Sequence, residues 1–359
     1  NTTEAGIVFN DNDNNPNVLP NTFPGKVTAL LYHRYQHFKA SQEKGFIIMP
    51  CELIDKNGEK LKAAILDYAN LWKLPADFKN WIEHHNTFCN TLVDRIVPGF
   101  PKESISEIQA RIGYDDNLVV MAEPFHLWVI EGPEHLQEKF PAAKAGLDVK
   151  FVRDLTPYRT RKVRILNGAH TSLVPVAYLC GLRTVRDSVN DPDVGQYLRN
   201  VVYDEIIPTL DLPPNELKEF ADDVMERFQN PFIKHELISI ALNSVSKFKV
   251  RVLPSILQFT ALRKTPPEKL LFSMAALIRF YKGTTGNETI PLNDAPEILE
   301  FFKEAWKNLP VEKIASKVLA NTMLWDEDLT RIAGLDETIT HHLVAIESKG
   351  MGAVLRDLK

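Results

Sequence analysis

The sequence predicts an α/β N-terminal part followed by a mainly α-helical C-terminal domain. Three observations lead to this fold class. The 359 residues exceed the roughly 100–200 residues of one ordinary domain, so two domains are expected. Up to about residue 155, short apolar runs rich in β-branched residues alternate with helical spacing of apolar residues, which is typical of α/β structure. Beyond Pro157 the apolar spacing is helical and strand signals are scarce.

Two helices and three strands are predicted in the N-terminal part, residues 1–155. Leu30 and Leu31 lie three and four residues after Val27, as on one face of a helix. The apolar run from Gly45 to Cys51 is short, and its length favours a buried strand. The predicted helices cover residues 26–44 and 61–71, and the predicted strands cover residues 45–51, 125–130 and 149–152.

The C-terminal part, residues 156–359, reads as a series of helices broken by Pro and Gly. Its segments show apolar residues three and four apart, and the Pro and Gly residues between them are helix stop signals. Helical spacing covers residues 162–205, 215–228, 231–247, 267–281, 294–308, 311–323 and 335–358.

Composition and charge exclude several classes of function. Hydrophobic residues make up 44% and charged residues 25% of the chain, which excludes a disordered or fibrous protein. The net charge of −5 provides no basic face, so nucleic acid is not an expected partner. No apolar run approaches the roughly 20 residues that span a bilayer, so no membrane partner is expected. Three widely separated cysteines lack metal-ligand spacing and favour a reducing cytoplasm and no metal site.

The densest group of polar residues within apolar sequence runs from Arg161 to Thr171. Asn167 and His170 are three residues apart and share a face if this segment is helical. Lys162 lies near the start of the same helix and is expected to bend toward them. A buried lysine has a lowered pKa and can act as a base, while amide and imidazole N–H groups hold a carbonyl or alkoxide oxygen. The alternative is a solvated Lys162 and an Asn167 that bonds only to the backbone.

The pattern Lys162-x4-Asn167-x2-His170 resembles the signature of the mannitol dehydrogenase family, the polyol-specific long-chain dehydrogenases. Other segments resemble the same family in the same order along the chain, from Asn1 to the C-terminus. These segments are residues 3–6, 48–55, 91–96, 123–130, 166–171, 174–177, 230–235 and 247–254.

The resemblance implies a metal-independent, NAD-dependent oxidoreductase, with the N-terminal part as a Rossmann-like nucleotide-binding domain. The hexuronate-specific members are the most similar, which implies reduction of D-tagaturonate to D-altronate in hexuronate catabolism. By this resemblance Lys162 is the general acid and base, and Asn167 and His170 bind and polarise the reacting oxygen.

The resemblance also implies binding residues. Asp94 lies where the family places a carboxylate on the substrate side. Independently of the resemblance, the position of His235 near a predicted helix start after Asn230-Pro231 makes it a candidate substrate contact. Lys247 and Arg251 are candidates for holding the substrate carboxylate, because a uronate anion needs a fixed cation; they are equally explained as surface charges at a helix end. Thr3 and Glu4 are expected near the nicotinamide of the cofactor.

The glycine-rich phosphate-binding turn of the family is expected before Asn1. The N-terminal part is therefore predicted to be the second half of a Rossmann-like domain, and the 359-residue chain alone is expected to bind NAD poorly and to be inactive.

Two departures from the mannitol enzymes bear on the substrate. Leu53 stands where those enzymes have an Asn, and Ser239 stands where a substrate-contacting Arg is expected. Both argue against mannitol itself. Fructuronate/mannonate or a neutral polyol remains an alternative substrate pair, and a non-enzymatic helical scaffold is the remaining alternative.

Overall fold

The computed structural model describes residues 1–2, 6–97, 99–232 and 234–358. The chain divides into two compact units, residues 1–159 and 160–359. The division falls inside helix α6 (Thr156–Arg161), close to the position at 155/156 predicted from the sequence. The first unit is α/β and the second is mainly helical, which confirms the predicted fold class.

In residues 1–2, 6–97 and 99–159, the first unit contains five strands and five complete α-helices. The strands are β1 (Ile47–Ile48), β2 (Thr87–Phe88), β3 (Asn90–Asp94), β4 (Leu127–Glu131) and β5 (Val149–Val152). The helices are α1 (Phe23–His37), α2 (Asn57–Leu71), α3 (Ala76–His85), α4 (Ile105–Ile112) and α5 (Leu136–Lys139).

The strands pair around one extended segment. β1 pairs with β2 in parallel, β3 pairs with β4 antiparallel, and β4 pairs with β5 in parallel. Only Cys89 separates β2 from β3, so residues 87–94 run in one direction and pair with β1 first and with β4 further along. The carboxyl ends of β1 and β3 therefore point the same way. In α/β sheets this edge is where ligands bind.

Asn57 and Gly58 join this edge to the first turn of α2. The buried Asn57 side chain donates to the carbonyls of Pro50 and Thr91 at 3.0 and 3.1 Å, and its oxygen accepts from the Thr91 N–H at 2.9 Å. A Cβ on Gly58 would lie 2.2 Å from the Cys89 carbonyl oxygen, so only glycine permits this approach of helix and strand. The helix therefore begins at Asn57, four residues before the predicted start.

The second unit contains thirteen helices and one short hairpin in the part of the chain described. The helices are α7 (Gly168–Leu179), α8 (Val185–Asn190), α9 (Pro192–Asn200), α10 (Pro214–Phe228), α11 (Leu237–Ile240), α12 (Ser244–Arg251), α13 (Leu253–Arg263), α14 (Glu268–Phe280), α15 (Pro296–Asn308), α16 (Val311–Leu319), α17 (Thr322–Trp325), α18 (Leu335–Lys349) and α19 (Met351–Asp357). The hairpin strands are β6 (Thr284–Thr285) and β7 (Glu288–Thr289).

Helices α7 and α14 form the centre of this unit. Every residue of α7 from Gly168 to Tyr178 is buried, and α14 is buried over most of its length, as expected for helices with neighbours on all sides. The two helices pack against each other, and α18 packs on the other side of α14. The Ser273 hydroxyl donates to the Ser172 carbonyl across the first of these contacts, at 3.1 Å.

Several of the predicted helical ranges differ from the structure. The range 26–44 holds a helix only up to His37, and the range 162–205 is interrupted by the non-helical residues 180–184 between α7 and α8. The range 335–358 is divided at Gly350 into α18 and α19. The range 231–247 is not one helix, because residues 234–236 are extended and Thr184 bridges to Glu236, leaving only α11 and the start of α12 as helix. Helix α13 was not predicted, and only three of its eleven residues are buried. Over the described ranges, no helix combines the length and the apolar character that a membrane crossing requires.

Candidate functional site

The segment that carries the predicted catalytic residues contains a π-helical turn. Residues Lys162–Asn167 form this turn between α6 and α7, and the Gly168 N–H donates to the carbonyl of Val163, five residues earlier. On an α-helix, residues five apart point about 140° away from each other, because each residue advances by about 100°. In a π-turn the residue five positions on lies one turn above. The π-turn therefore makes the angle between Lys162 and Asn167 smaller than it would be on an α-helix, which their spacing alone does not predict.

Gly168 allows α12 to approach the start of α7. A Cβ on Gly168 would lie 3.3 Å from the Arg251 carbonyl oxygen, which is tighter than most Cβ contacts. The end of α12 therefore lies directly against the turn that follows Asn167. The Asn167 side chain is partly exposed and makes no hydrogen bond to a described residue, while its carbonyl accepts from the Thr171 hydroxyl at 2.8 Å. The amide of Asn167 is thus available to a ligand.

His170 lies one turn further along α7 and is 6% exposed. Its ring stacks on Phe228 at a centroid distance of 4.1 Å and meets His235 edge to face at 5.2 Å. Its Nε2 atom is buried and has no hydrogen-bond partner among the described residues. Burial first, and then the positive charges of His235, Arg251, Arg227 and Lys247, lower the pKa of His170 well below 6.5. The imidazole is therefore neutral at physiological pH.

The predicted binding residues of this unit converge on His170. His235 contacts its ring, and both Lys247 and Arg251 of α12 act on its charge. The Lys247 ammonium donates to the Ile240 carbonyl at 2.9 Å, and the Arg251 guanidinium lies 3.5 Å from the Thr171 hydroxyl. The candidates proposed from the sequence, His170, His235 and the pair Lys247 and Arg251, come from three separate segments and lie near one another in the structure.

Arg227 and Phe228, at the end of α10, also belong to this group and were missed from the sequence. Arg227 is 8% exposed and Phe228 is 4% exposed. Their position carried a signal: Leu217, Phe220 and Val224 form the apolar stripe of α10, and an arginine adjoining such a stripe near the helix end is a candidate for a buried charge.

Two cations of α12, Lys247 and Arg251, form no ion pair with a described carboxylate, whereas Lys249 on the same helix pairs with Asp326 at 2.9 Å. Over the described ranges, neither Lys247 nor Arg251 has a carboxylate oxygen within 4 Å. Burial lowers the pKa of both groups, and Arg251 further lowers the pKa of Lys247. Partly buried cations without a carboxylate are costly unless an anion binds them. The group around His170 is therefore a candidate site for an anionic ligand.

Asp94 lies in the first unit, at the carboxyl end of β3, and is 3% exposed. Thr3 and Glu4 lie outside the described residues. Leu53 is 58% exposed, and the Ser239 hydroxyl donates to the Glu236 carbonyl at 2.7 Å. The described residues contain no group of three or more His, Cys, Asp or Glu side chains arranged to hold a metal ion.

The chain thus combines an α/β unit with a helical unit that carries Lys162, Asn167 and His170, the order expected for a two-domain dehydrogenase. Two family descriptions match the chain: "Mannitol dehydrogenase Rossmann domain" over residues 1–144 and "Mannitol dehydrogenase C-terminal domain" over residues 154–347. The chain belongs to the mannitol dehydrogenase family. Its first unit is therefore of the Rossmann type.

Similar proteins fall within this family. The chain is 52% identical to an altronate oxidoreductase of Bacillus subtilis (strain 168), over 99% of this chain and 73% of that protein. It is 48% identical to an altronate oxidoreductase of Phocaeicola vulgatus, over 98% of this chain and 74% of that protein. The structure of mannitol 2-dehydrogenase from Pseudomonas fluorescens, a ternary complex with NAD and D-mannitol, matches with a TM-score of 0.70 and 25% identity, over 99% and 73%. A substrate-free D-sorbitol dehydrogenase matches with a TM-score of 0.79 and 26% identity, over 98% and 73%.

Proposed function

We propose that the protein is an NAD-dependent hexuronate oxidoreductase that interconverts D-tagaturonate and D-altronate. The observation that carries the proposal is the unpartnered Nε2 of the buried His170, surrounded by Arg227, Lys247 and Arg251. Relatives at 52% and 48% identity that are named altronate oxidoreductase support the same substrate.

The positive charge around His170 favours a sugar acid over a neutral sugar. A carboxylate bound by Lys247 or Arg251 would make charge-assisted hydrogen bonds, each worth about 1.5–3 kcal/mol. A neutral polyol would leave both cations partly buried without a counter-charge. The exposed Leu53 and Ser239, which stand in place of Asn and Arg of the mannitol enzymes, agree with this preference.

The reacting oxygen would lie beside Lys162, Asn167 and His170. In the neutral tautomer that carries its proton on Nε2, the His170 ring would donate this N–H, and the Asn167 amide would donate one of its N–H groups, to a carbonyl oxygen or to the alkoxide formed from it. Lys162 is partly buried and is proposed to donate a proton to this oxygen in reduction and to remove it in oxidation. A general acid or base of this kind contributes roughly 10²–10⁴-fold to the rate.

NADH would supply the hydride in the reduction. The carboxyl edge of the sheet in the first unit fits a nucleotide cofactor, because polar groups collect where β1 and β3 end. Glu52 is 3% exposed there; the Thr2 hydroxyl donates to its Oε1 at 2.8 Å, and its Oε2 is buried without a partner among the described residues. Glu52 and Thr2 would hold polar groups of the cofactor. The roles of Asp94, Thr3 and Glu4 stay predictions.

A substrate panel tests this proposal. NADH-dependent reduction by the full-length protein is measured for D-tagaturonate, D-fructuronate and D-fructose, which share a ketone but differ in configuration or in the terminal carboxylate. We expect kcat/KM for tagaturonate to exceed that for fructose by at least 100-fold. A preference for fructuronate would change the substrate pair and keep the carboxylate site, whereas a preference for fructose would overturn the proposal.

A further inference from the structure

The ring of His170 is held in one orientation without any hydrogen bond to its Nε2. A buried polar atom without a partner costs about 1–3 kcal/mol, so a freely turning ring would move this atom toward a partner. The orientation must therefore come from packing. Two described rings contact the imidazole: Phe228 lies on its flat face and His235 meets it edge to face.

Phe228 is the more rigid of the two contacts. It is the last residue of the fifteen-residue helix α10 and is 4% exposed, whereas His235 is partly exposed and lies outside any helix. The centroid distance of 4.1 Å and the interplanar angle of 28° describe a stacked pair. Stacked aromatic rings gain energy beyond the burial of their area, and only a flat side chain provides this surface.

We propose that Phe228 is a positioning residue: its ring fixes the plane of the His170 imidazole so that the free Nε2 faces the reacting oxygen of the sugar acid. That Nε2 faces the reacting oxygen rests on the function proposed above. That Phe228 fixes the plane of the imidazole concerns only the contact between the two rings. Phe228 does not touch the substrate in this account and is not a catalytic residue.

Phe228 also excludes water from one face of His170. The other groups that act on the imidazole are all basic: Arg227 beside Phe228 on α10, His235 on the segment before α11, and Lys247 and Arg251 on α12. Loss of the stacked ring would admit water, which stabilises the protonated imidazole, while these basic groups would remain. Removal of Phe228 is therefore expected to raise the pKa of His170 toward its ordinary value.

The test compares Phe228→Leu, which keeps most of the apolar volume, with Phe228→Tyr, which restores a flat ring. Phe302→Leu is the matched control, because Phe302 is equally buried but lies on α15 against Tyr281. Unfolding temperatures of all variants are compared first. NMR then follows the His170 ring signal with pH in each variant, and steady-state kinetics give kcat and KM for the sugar acid.

In Phe228→Leu we expect the His170 signal to titrate at higher pH than in the wild type and kcat to fall roughly 10- to 100-fold, as for a misplaced reacting group. KM should change less than threefold, because the cations of α12 remain. Phe228→Tyr and Phe302→Leu should behave as the wild type. A folded Phe228→Leu with the wild-type His170 titration and kcat would overturn the inference.

The two proposals fail separately. If the wild type reduces no hexuronate, the proposed function fails, while the NMR titration still tests whether Phe228 holds His170. If the wild type reduces tagaturonate and the titration is unchanged in both Phe228→Leu and Phe228→Ala, only the role of Phe228 fails.

Discussion

His342 is expected to make the stability of the protein depend strongly on acidity. It lies on α18, is 4% exposed, meets Phe272 of α14 edge to face at 5.4 Å, and has no partner for either ring nitrogen among the described residues. Burial, with a smaller contribution from the charge of His341, lowers the pKa of His342 from 6.5 to about 4. The folded protein therefore keeps this imidazole neutral at a pH where the unfolded chain protonates it.

The size of the effect follows from this pKa. Between pH 6.5 and about 4, only the unfolded chain binds the proton, so the free energy of unfolding falls by about 1.4 kcal/mol for each pH unit lost. At pH 4.5 the loss is about 2.7 kcal/mol, and it levels off once the folded state also protonates, near pH 4. Replacement of His342 by Leu removes this loss of unfolding free energy at low pH. At pH 7.5 it also removes two unpartnered nitrogens, a gain of about 1–3 kcal/mol.

The measurement is urea unfolding followed by circular dichroism at pH 7.5 and pH 4.5. The free energy of unfolding of His342→Leu should exceed that of the wild type at both values, and the excess should be about 2.7 kcal/mol larger at pH 4.5. The exposed neighbour His341 provides the control variant His341→Leu, which should change little at either pH. The reasoning is refuted if the excess for His342→Leu is the same at both pH values.

Three further changes test other parts of the account. Lys162→Ala should lower kcat for tagaturonate by roughly 10²–10⁴-fold, and activity within a few fold of the wild type would show that Lys162 is not the acid and base. Arg251→Met should raise KM for the sugar acid roughly 10- to 100-fold, with partial recovery in Arg251→Lys; equal KM values in all three proteins would remove Arg251 from the site. Glu205 accepts the backbone N–H groups of Lys269 and Leu270 at 2.9 and 2.8 Å. Glu205→Gln should therefore destabilise the protein by about 1–3 kcal/mol, because an NH₂ group replaces one acceptor; an unchanged unfolding midpoint would contradict this role.

The parts of the fold that were predicted from sequence are those where apolar residues repeat with a clear period. β5 lies at the predicted residues 149–152, and α14 differs from the predicted range 267–281 by one residue at each end. β3 was missed because three of its five residues are polar and buried. Their burial depends on a remote residue: Asn57 bonds to Thr91 and holds the strand against α2. Hydrogen bonds between residues so far apart in the chain leave no pattern in the sequence of the strand itself.

The candidate site, too, could be predicted from the sequence only in part. Asn167 and His170 share a helix face, which their spacing predicts, whereas Lys162 lies on a π-turn that has no recognisable sequence pattern. Arg227 and Phe228 lie at the end of α10, which packs against α8 and the π-turn, and no spacing within α10 encodes the contact of Phe228 with His170. The resemblance to a known family supplied the roles of the residues, and the structure supplied the unpartnered imidazole and the unpaired cations.

The central claim is that the group around His170 binds a sugar carboxylate. Calorimetry with D-altronate and with D-altritol, the neutral polyol of the same configuration, tests it most directly in the wild type and in Arg251→Met. The account predicts heat of binding for altronate with the wild type, at least tenfold weaker binding with Arg251→Met, and no measurable binding of altritol to either protein. Equal binding of altronate and altritol to the wild type would contradict it.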